Sequence, residues 1–225
     1  MADGDEPDFS VEVHAYADEE GVRFPTALVG PRALVGMFDP KVLEICDADG
    51  VTLHCAVESF GANPDAIVGL ARDPTRILGY LEAHIEQGPV LERADIAVGT
   101  VTSICGIERN VITIKGKTGH AGTVPMQGRR DALVVASQII SELTVRAQAK
   151  EELRATFGTL KILPGAVNQI PEVVTLSLEI RAPCDDERQI FSAMAKGYAE
   201  KTASESDCAA VMEQTYVQSA QQCHP

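Results

Sequence analysis

The clearest alternation of apolar and polar side chains in the chain runs over Val173–Arg181 (VVTLSLEIR) and predicts a strand with one covered face. Asn110–Lys115 and Thr156–Leu163 predict two more strands, the second stopped by Pro164-Gly165, and Asp207–Tyr216 predicts a last one. Between them, Leu133, Ala136, Ile140 and Leu143 recur at helical spacing inside Arg129–Arg146, and Glu187–Thr202 predicts a second helix. From about Gly106 onward the order is therefore β-α-β-β-α-β, the ferredoxin-like split βαβ arrangement.

The first hundred residues are less regular. Val11–Tyr16 (VEVHAY) predicts a strand that ends in the acidic turn Asp18-Glu19-Glu20-Gly21. Arg32–Met37 and Pro40–Cys46 predict helical or mixed segments, Asp47–Gly50 a turn, and Ala66–Ala71 a short helix. Tyr80–Glu86 alternates, with Leu81, Ala83 and Ile85 on one side and Glu82, His84 and Glu86 on the other, and predicts a strand broken by Gln87-Gly88-Pro89. The fold class expected is α/β, with a boundary at 105/106, a second unit over 106–217 and a short return segment over 218–225.

Composition narrows the function classes. Apolar residues make up 45% of the 225, enough for a substantial core, but aromatics are only 4%, so Ala, Val, Leu and Ile must fill it. A formal net charge of -14 repels phosphate backbones and argues against nucleic acid as a partner. No apolar run approaches the ~20 residues of a membrane span, and Met1–Ser10 lacks the basic and apolar regions of a secretory signal. The six cysteines show no C-x-x-C pair, so we expect mostly buried, reduced thiols and a cytoplasmic location.

Several polar residues stand where chemistry is possible. Glu19 and Glu20 are adjacent acids, so one can hold a metal while the other faces a bound water; a solvated acidic turn is the alternative. His84, among Glu82, Glu86 and Gln87, is a candidate zinc or manganese ligand or else a surface histidine. His120 lies between small residues in Gly119-His120-Ala121-Gly122, so its ring can project and donate to a developing oxyanion; alternatively it caps the following helix. Asn168 sits in a loop between two strands. Arg181 ends the long strand and offers a guanidinium fork for a carboxylate, or a surface salt bridge.

Taken together, Ala17–Phe24 (ADEEGVRF), His84–Glu92 (HIEQGPVLE), Gly119–Met126 (GHAGTVPM), Asn168 with Ile170-Pro171, and Arg181 resemble the hydantoinase/carbamoylase family of binuclear metallo-amidohydrolases, from about Val11 to Tyr216. The resemblance implies a zinc-peptidase-like catalytic domain, partial here over 1–105, followed by a lid that is also the dimerisation domain. It implies Glu19 as general base, Glu20 and His84 as metal ligands, and Gln87 as a substrate contact. His120 then matches the lid histidine that reaches a neighbouring subunit's site, and Asn168 and Arg181 the residues holding the substrate carboxylate. Two divalent ions (manganese, zinc or cobalt) and a homodimer follow. The implied substrate is a ureido or carbamoyl acid, allantoate first and N-carbamoyl-L-amino acids second. The family's upstream histidine and aspartate ligands and its late histidine have no match here, so the chain is expected to be truncated at both ends, and inactive or a non-catalytic dimerising lid as it stands.

Overall fold

A computed structural model describes residues 8–223. The chain divides into two compact units, Met1–Gln87 and Gly88–Pro225, so the division falls before the expected 105/106 boundary.

The first unit is built from short helices: α1 (Val29–Leu34), α2 (Leu53–Ser59) and 3₁₀ turns over Pro40–Glu44, Pro64–Leu70 and Pro74–Arg76. Each 3₁₀ turn starts with proline behind an Asp or Asn whose side chain accepts a backbone N–H, which explains why these segments begin where they do. The expected strands at Val11–Tyr16 and Tyr80–Glu86 do not form; both segments lack strand pairing among the described residues. Alternation reports which way side chains point, not whether a second backbone is available to pair. Their apolar faces are accordingly open, with Val13 93% and Leu81 96% exposed. Only Phe24, Ala33, Leu53 and Pro64 are buried among this unit's described apolar side chains.

In the second unit, α3 (Val90–Arg93) and the two-residue strand β1 (Ser103–Ile104) lead into β2 (Gly106–Lys115). Then follow α4 (Ala132–Gln148), β3 (Arg154–Thr156), β4 (Leu160–Leu163), β5 (Val173–Ala182), α5 (Asp185–Glu205), β6 (Ala209–Gln218) and β7 (Gln221–Gln222). β1 pairs with β7. The main sheet runs β3-β5-β2-β6, with β4 also on β5, and every pairing is antiparallel. This is the expected split βαβ order, with the predicted strand at 156–163 divided in two. At the division the Ser177 Oγ accepts the Thr159 N–H at 3.0 Å, so the break lies against β5 without leaving that donor unpaired.

One face of the sheet carries the core. Ile112, Ile114, Val174, Leu176, Leu178 and Ile180 pack with Val135, Ala136, Ile139 and Leu143 of α4 and Phe191, Ala195 and Ala199 of α5. The small alanines, not aromatics, let the helices sit close to the sheet. The buried stripe of α4 lies one residue away from the predicted one at two places: Ala132 and Ile139 are fully buried while Leu133 and Ile140 are half-buried. Asp131 caps α4 by accepting the N–H groups of Leu133 and Val134 at 2.9 and 3.3 Å, so the cap is this aspartate and not His120.

β2 is longer than predicted because its first half is polar. Glu108 and Asn110 point into the helix-covered face, only 2% exposed each. Arg188 of α5 donates to Glu108 at 2.5 Å, Asn110 donates to it at 3.0 Å, and the Ser192 hydroxyl donates as well. Arg188 also reaches Asp185 at 3.1 Å, and the same Asp185 oxygen accepts the Ala220 N–H at 3.1 Å. A paired, fully bonded charge is tolerated inside, whereas an unpaired one is not. All six cysteines are free thiols, but only Cys208 is buried; Cys46, Cys55 and Cys184 are exposed, against the expectation of mostly buried ones. Among the described residues no helix is long and apolar enough to cross a membrane.

Burial pushes the Glu108 carboxyl up, but the bonds from Ser192, Asn110 and Gln214 and the Arg188 charge outweigh it and hold it below its ordinary 4.5. The ionised form therefore stabilises the fold above that ordinary value, and the contribution is lost as pH falls through the lowered one. Glu108→Ala should lower the unfolding free energy in urea at pH 7 by about 3 kcal/mol, because Arg188 loses its buried partner and keeps only Asp185. Glu108→Leu with Arg188→Met should recover most of that loss and flatten the decline in stability below pH 4.5. A double variant as unstable as the single one would contradict this account.

Candidate functional site

His120 stands on a loop held by backbone zipping. It bridges antiparallel to Gln169; the Ala121 N–H donates to the Asn168 carbonyl at 2.9 Å and the Ile170 N–H to the Gly119 carbonyl at 2.8 Å. The structure thus brings His120 and Asn168, 48 positions apart in sequence, onto neighbouring loops at the Lys115–Val173 end of the sheet. The flanking glycines leave room for the side chains packed against them. A Cβ at Gly119 would lie 2.9 Å from Val124 Cγ2, and one at Gly122 would lie 3.3 Å from the His120 ring.

The Gly122 N–H donates to His120 Nδ1 at 3.1 Å. An N–H can only donate, so Nδ1 is the acceptor, and the neutral ring carries its proton on Nε2. The ring is exposed, so that Nε2–H is a projecting donor of the kind that stabilises an oxyanion. Arg129 fastens the loop. Its guanidinium donates to the Ala121 carbonyl at 2.8 Å and the Val124 carbonyl at 2.6 Å, and its Nε lies 3.2 Å from the Pro125 carbonyl.

Arg181 lies at the other end of β5. Eight residues of strand from Val173 to Arg181 span about 26 Å at a rise of about 3.3 Å each. Most of the length of β5 therefore lies between Arg181 and the end of the sheet that carries the His120 and Asn168 loops. Arg181 is on the sheet face away from the helices, where its Nε donates to Glu179 at 2.7 Å. The other oxygen of Glu179 accepts from Arg109 Nε, also at 2.7 Å. Burial raises the Glu179 carboxyl, but the two arginines outweigh it and hold it below the ordinary carboxylate range.

In the first unit, Glu19 and Glu20 sit in a turn organised by Asp18, which accepts the Arg23 and Phe24 N–H groups at 2.8 and 2.9 Å. Those two bonds hold the Asp18 carboxyl below its usual range. Gly21 follows with φ 72°, and a Cβ there would meet the Thr26 carbonyl at 2.7 Å. His84 and Gln87 lie on an exposed segment without regular structure, with His84 Nδ1 2.5 Å from the Ile85 carbonyl and Gln87 at φ 54°. Carboxylate and imidazole suit zinc, manganese or cobalt by type. Glu20 and His84 fall short in number, since catalytic zinc takes about three protein ligands. Among the described residues the three-donor cluster with ligand atoms within 4.8 Å is His54, Cys55 and Glu58 on α2, which includes neither of them.

Residues 102–207 match the peptidase dimerisation domain. The chain is 42% identical over 171 residues to an N-carbamoyl-L-amino acid amidohydrolase of Geobacillus stearothermophilus, covering 76% of this chain and 42% of that one. It is 36% identical over 192 residues to an allantoate deiminase of Arabidopsis thaliana, covering 76% and 37%. A hydantoinase/carbamoylase family amidase from Burkholderia ambifaria superposes with a TM-score of 0.83 at 27% identity, over 91% of this chain and 50% of that one. The chain is a homologue of these amidases. It spans about half their length or less.

The match thus covers β1 to β5 and both long helices, stopping just before β6, and it holds His120, Asn168 and Arg181. Sequence reasoning singled out those three as candidates and gave no role to Arg129, Arg109 or Glu179. The run Arg129-Arg130-Asp131 beside the GHAG string was the available signal for the first. Nothing local signalled the other two, because Arg109 and Glu179 are opposite each other only once β2 and β5 pair.

Arg129→Met should leave the helices and the unfolding midpoint nearly unchanged but free the loop. Amide exchange at Gly122 and Val124 should rise at least about tenfold, since several charge-assisted bonds are lost. Unchanged protection there would show that the loop does not depend on Arg129.

Proposed function

We propose that this chain supplies the dimerisation domain and part of the catalytic domain of an amidohydrolase acting on carboxylic acids that bear a carbamoyl or ureido group. Allantoate and N-carbamoyl-L-amino acids both carry the two groups needed: a carbonyl to be attacked and a carboxylate to be anchored. The observation that carries the reading is the Nε2–H of His120, held outward by the Gly122 N–H on Nδ1. Directed at the scissile carbonyl, it stabilises the charge that builds on oxygen as a tetrahedral centre forms.

Arg181 anchors the substrate carboxylate through its guanidinium fork, and Asn168 adds an amide contact beside His120. Gln87 contributes a further polar contact. Glu19 moves a proton to the leaving nitrogen. Glu20 and His84 contribute donors to a divalent-metal centre of zinc, manganese or cobalt type, which when complete supplies an activated water.

The strand geometry supports a division of these roles between two chains. His120 and Asn168 serve from one end of the sheet and Arg181 from the other, about 26 Å away. In a homodimer, the His120 end of one protomer joins the Arg181 face of its partner, so that each site is composite.

The test is a chimera. Residues 102–207 replace the matching segment of the Geobacillus N-carbamoyl-L-amino acid amidohydrolase, and ammonia release is followed. The chimera should turn over N-carbamoyl-L-amino acids, and His120→Ala in the graft should lower kcat by about 10²–10³ with little change in KM. A folded chimera indifferent to His120→Ala would refute the assigned role.

A further inference from the structure

The sheet face away from the helices carries an arrangement that the catalytic reading leaves unexplained. On a protein with a net charge of -14, Arg109 and Arg181 flank a single carboxylate, Glu179. Each guanidinium uses only its Nε edge, at 2.7 Å, on opposite oxygens of Glu179. Among the described residues the Nη groups of both arginines make no hydrogen bond, so their forks are open.

A carboxylate prefers an arginine fork bidentately. With one arginine beside it, Glu179 would turn both oxygens toward Arg181 and occupy the donors that a substrate carboxylate needs. In the structure the second oxygen is instead taken by Arg109. The pairing is set by the sheet: Arg109 lies opposite Glu179 in the β2–β5 register, and Tyr216 lies opposite Arg109 in the β2–β6 register. The Arg109 guanidinium sits 5.1 Å over the Tyr216 ring, which keeps it in the plane of the face. Arg154, opposite Arg181 on β3, does not compete for Glu179, because its Nη1 donates to the Glu151 and Leu153 carbonyls.

We propose that Arg109 is a positioning residue for Arg181: it holds one oxygen of Glu179 so that the Nη fork of Arg181 stays open for the substrate carboxylate. This rests on the reading of Arg181 as the carboxylate anchor. The two arginines and one glutamate carry a net single positive charge, which a bound carboxylate neutralises. Without Arg109 the remaining pair is neutral and closed on itself. Charge and geometry thus act in the same direction, so loss of Arg109 weakens anion binding on both counts.

The experiment is an NMR titration of the chain with N-carbamoyl-L-alanine, and with its neutral C-terminal amide as control, read on the arginine Nε–H signals. Arg109→Met should weaken binding of the acid about tenfold and leave the amide unaffected. Arg109→Met with Glu179→Gln should return the affinity to within about twofold of the unmutated chain, because the competing carboxylate has gone as well. A role for Arg109 in packing alone would not be rescued by a change at Glu179. A double variant as weak as the single one, or a single variant as strong as the parent, would overturn the proposal.

An unmutated chain whose Arg181 signal ignores the acid would remove the anchor reading instead. Arg109 is then judged on the ligand-free spectra. There Arg109→Met should slow rotation of the Arg181 Nη groups as Glu179 closes on them, and unchanged rotation would overturn its positioning role.

Discussion

The β2–β5 ladder governs the second unit. Ten residues pair from Gly106↔Ala182 to Lys115↔Val173, and because side chains alternate, each strand sends half its residues to each face. One face is fixed by burial, with Ile112, Ile114, Leu176, Leu178 and Ile180 under two alanine-rich helices. A slip of one residue would expose that whole set, so the register is held firmly. The other face inherits its geometry from the first. Arg109, Glu179 and Arg181 meet there because the hydrophobic side cannot move.

Charge is handled differently on the two faces. Behind the sheet, Glu108 and Arg188 are both buried and bonded, with Asp185 linking α5 to the backbone at Ala220 and so to the segment entering β7. In front of it, the arginines are half exposed and share one acid, leaving positive charge over. The same residue types tie elements together in one setting and leave donors open in the other. Solvent access and the count of partners decide which.

What the sequence revealed follows from this division. β5 was legible because its alternation is strict and one of its faces is wholly apolar. The first half of β2 was not, since Glu108 and Asn110 look solvent-facing until Arg188 and Ser192 arrive from 80 and 84 positions away. Val11–Tyr16 and Tyr80–Glu86 alternate as well as any strand, yet alternation carries no information about a partner backbone. The GHAG string announced His120 because it needs small neighbours within three residues. The tautomer of that histidine, the grip of Arg129 on the loop carbonyls, and the separation of Asn168 from Arg181 appear only in three dimensions.

If one substrate is held by His120 of one chain and Arg181 of another, two defective chains can complement each other. Two inactive chimeric proteins, one carrying His120→Ala and the other Arg181→Ala, are mixed, dissociated and reassociated. Half of the dimers then pair one variant with the other, and each mixed dimer holds one intact composite site. About one quarter of the unmutated activity should then be recovered. A mixture no more active than its two components would contradict the composite site, because His120 and Arg181 would then have to act within the same chain.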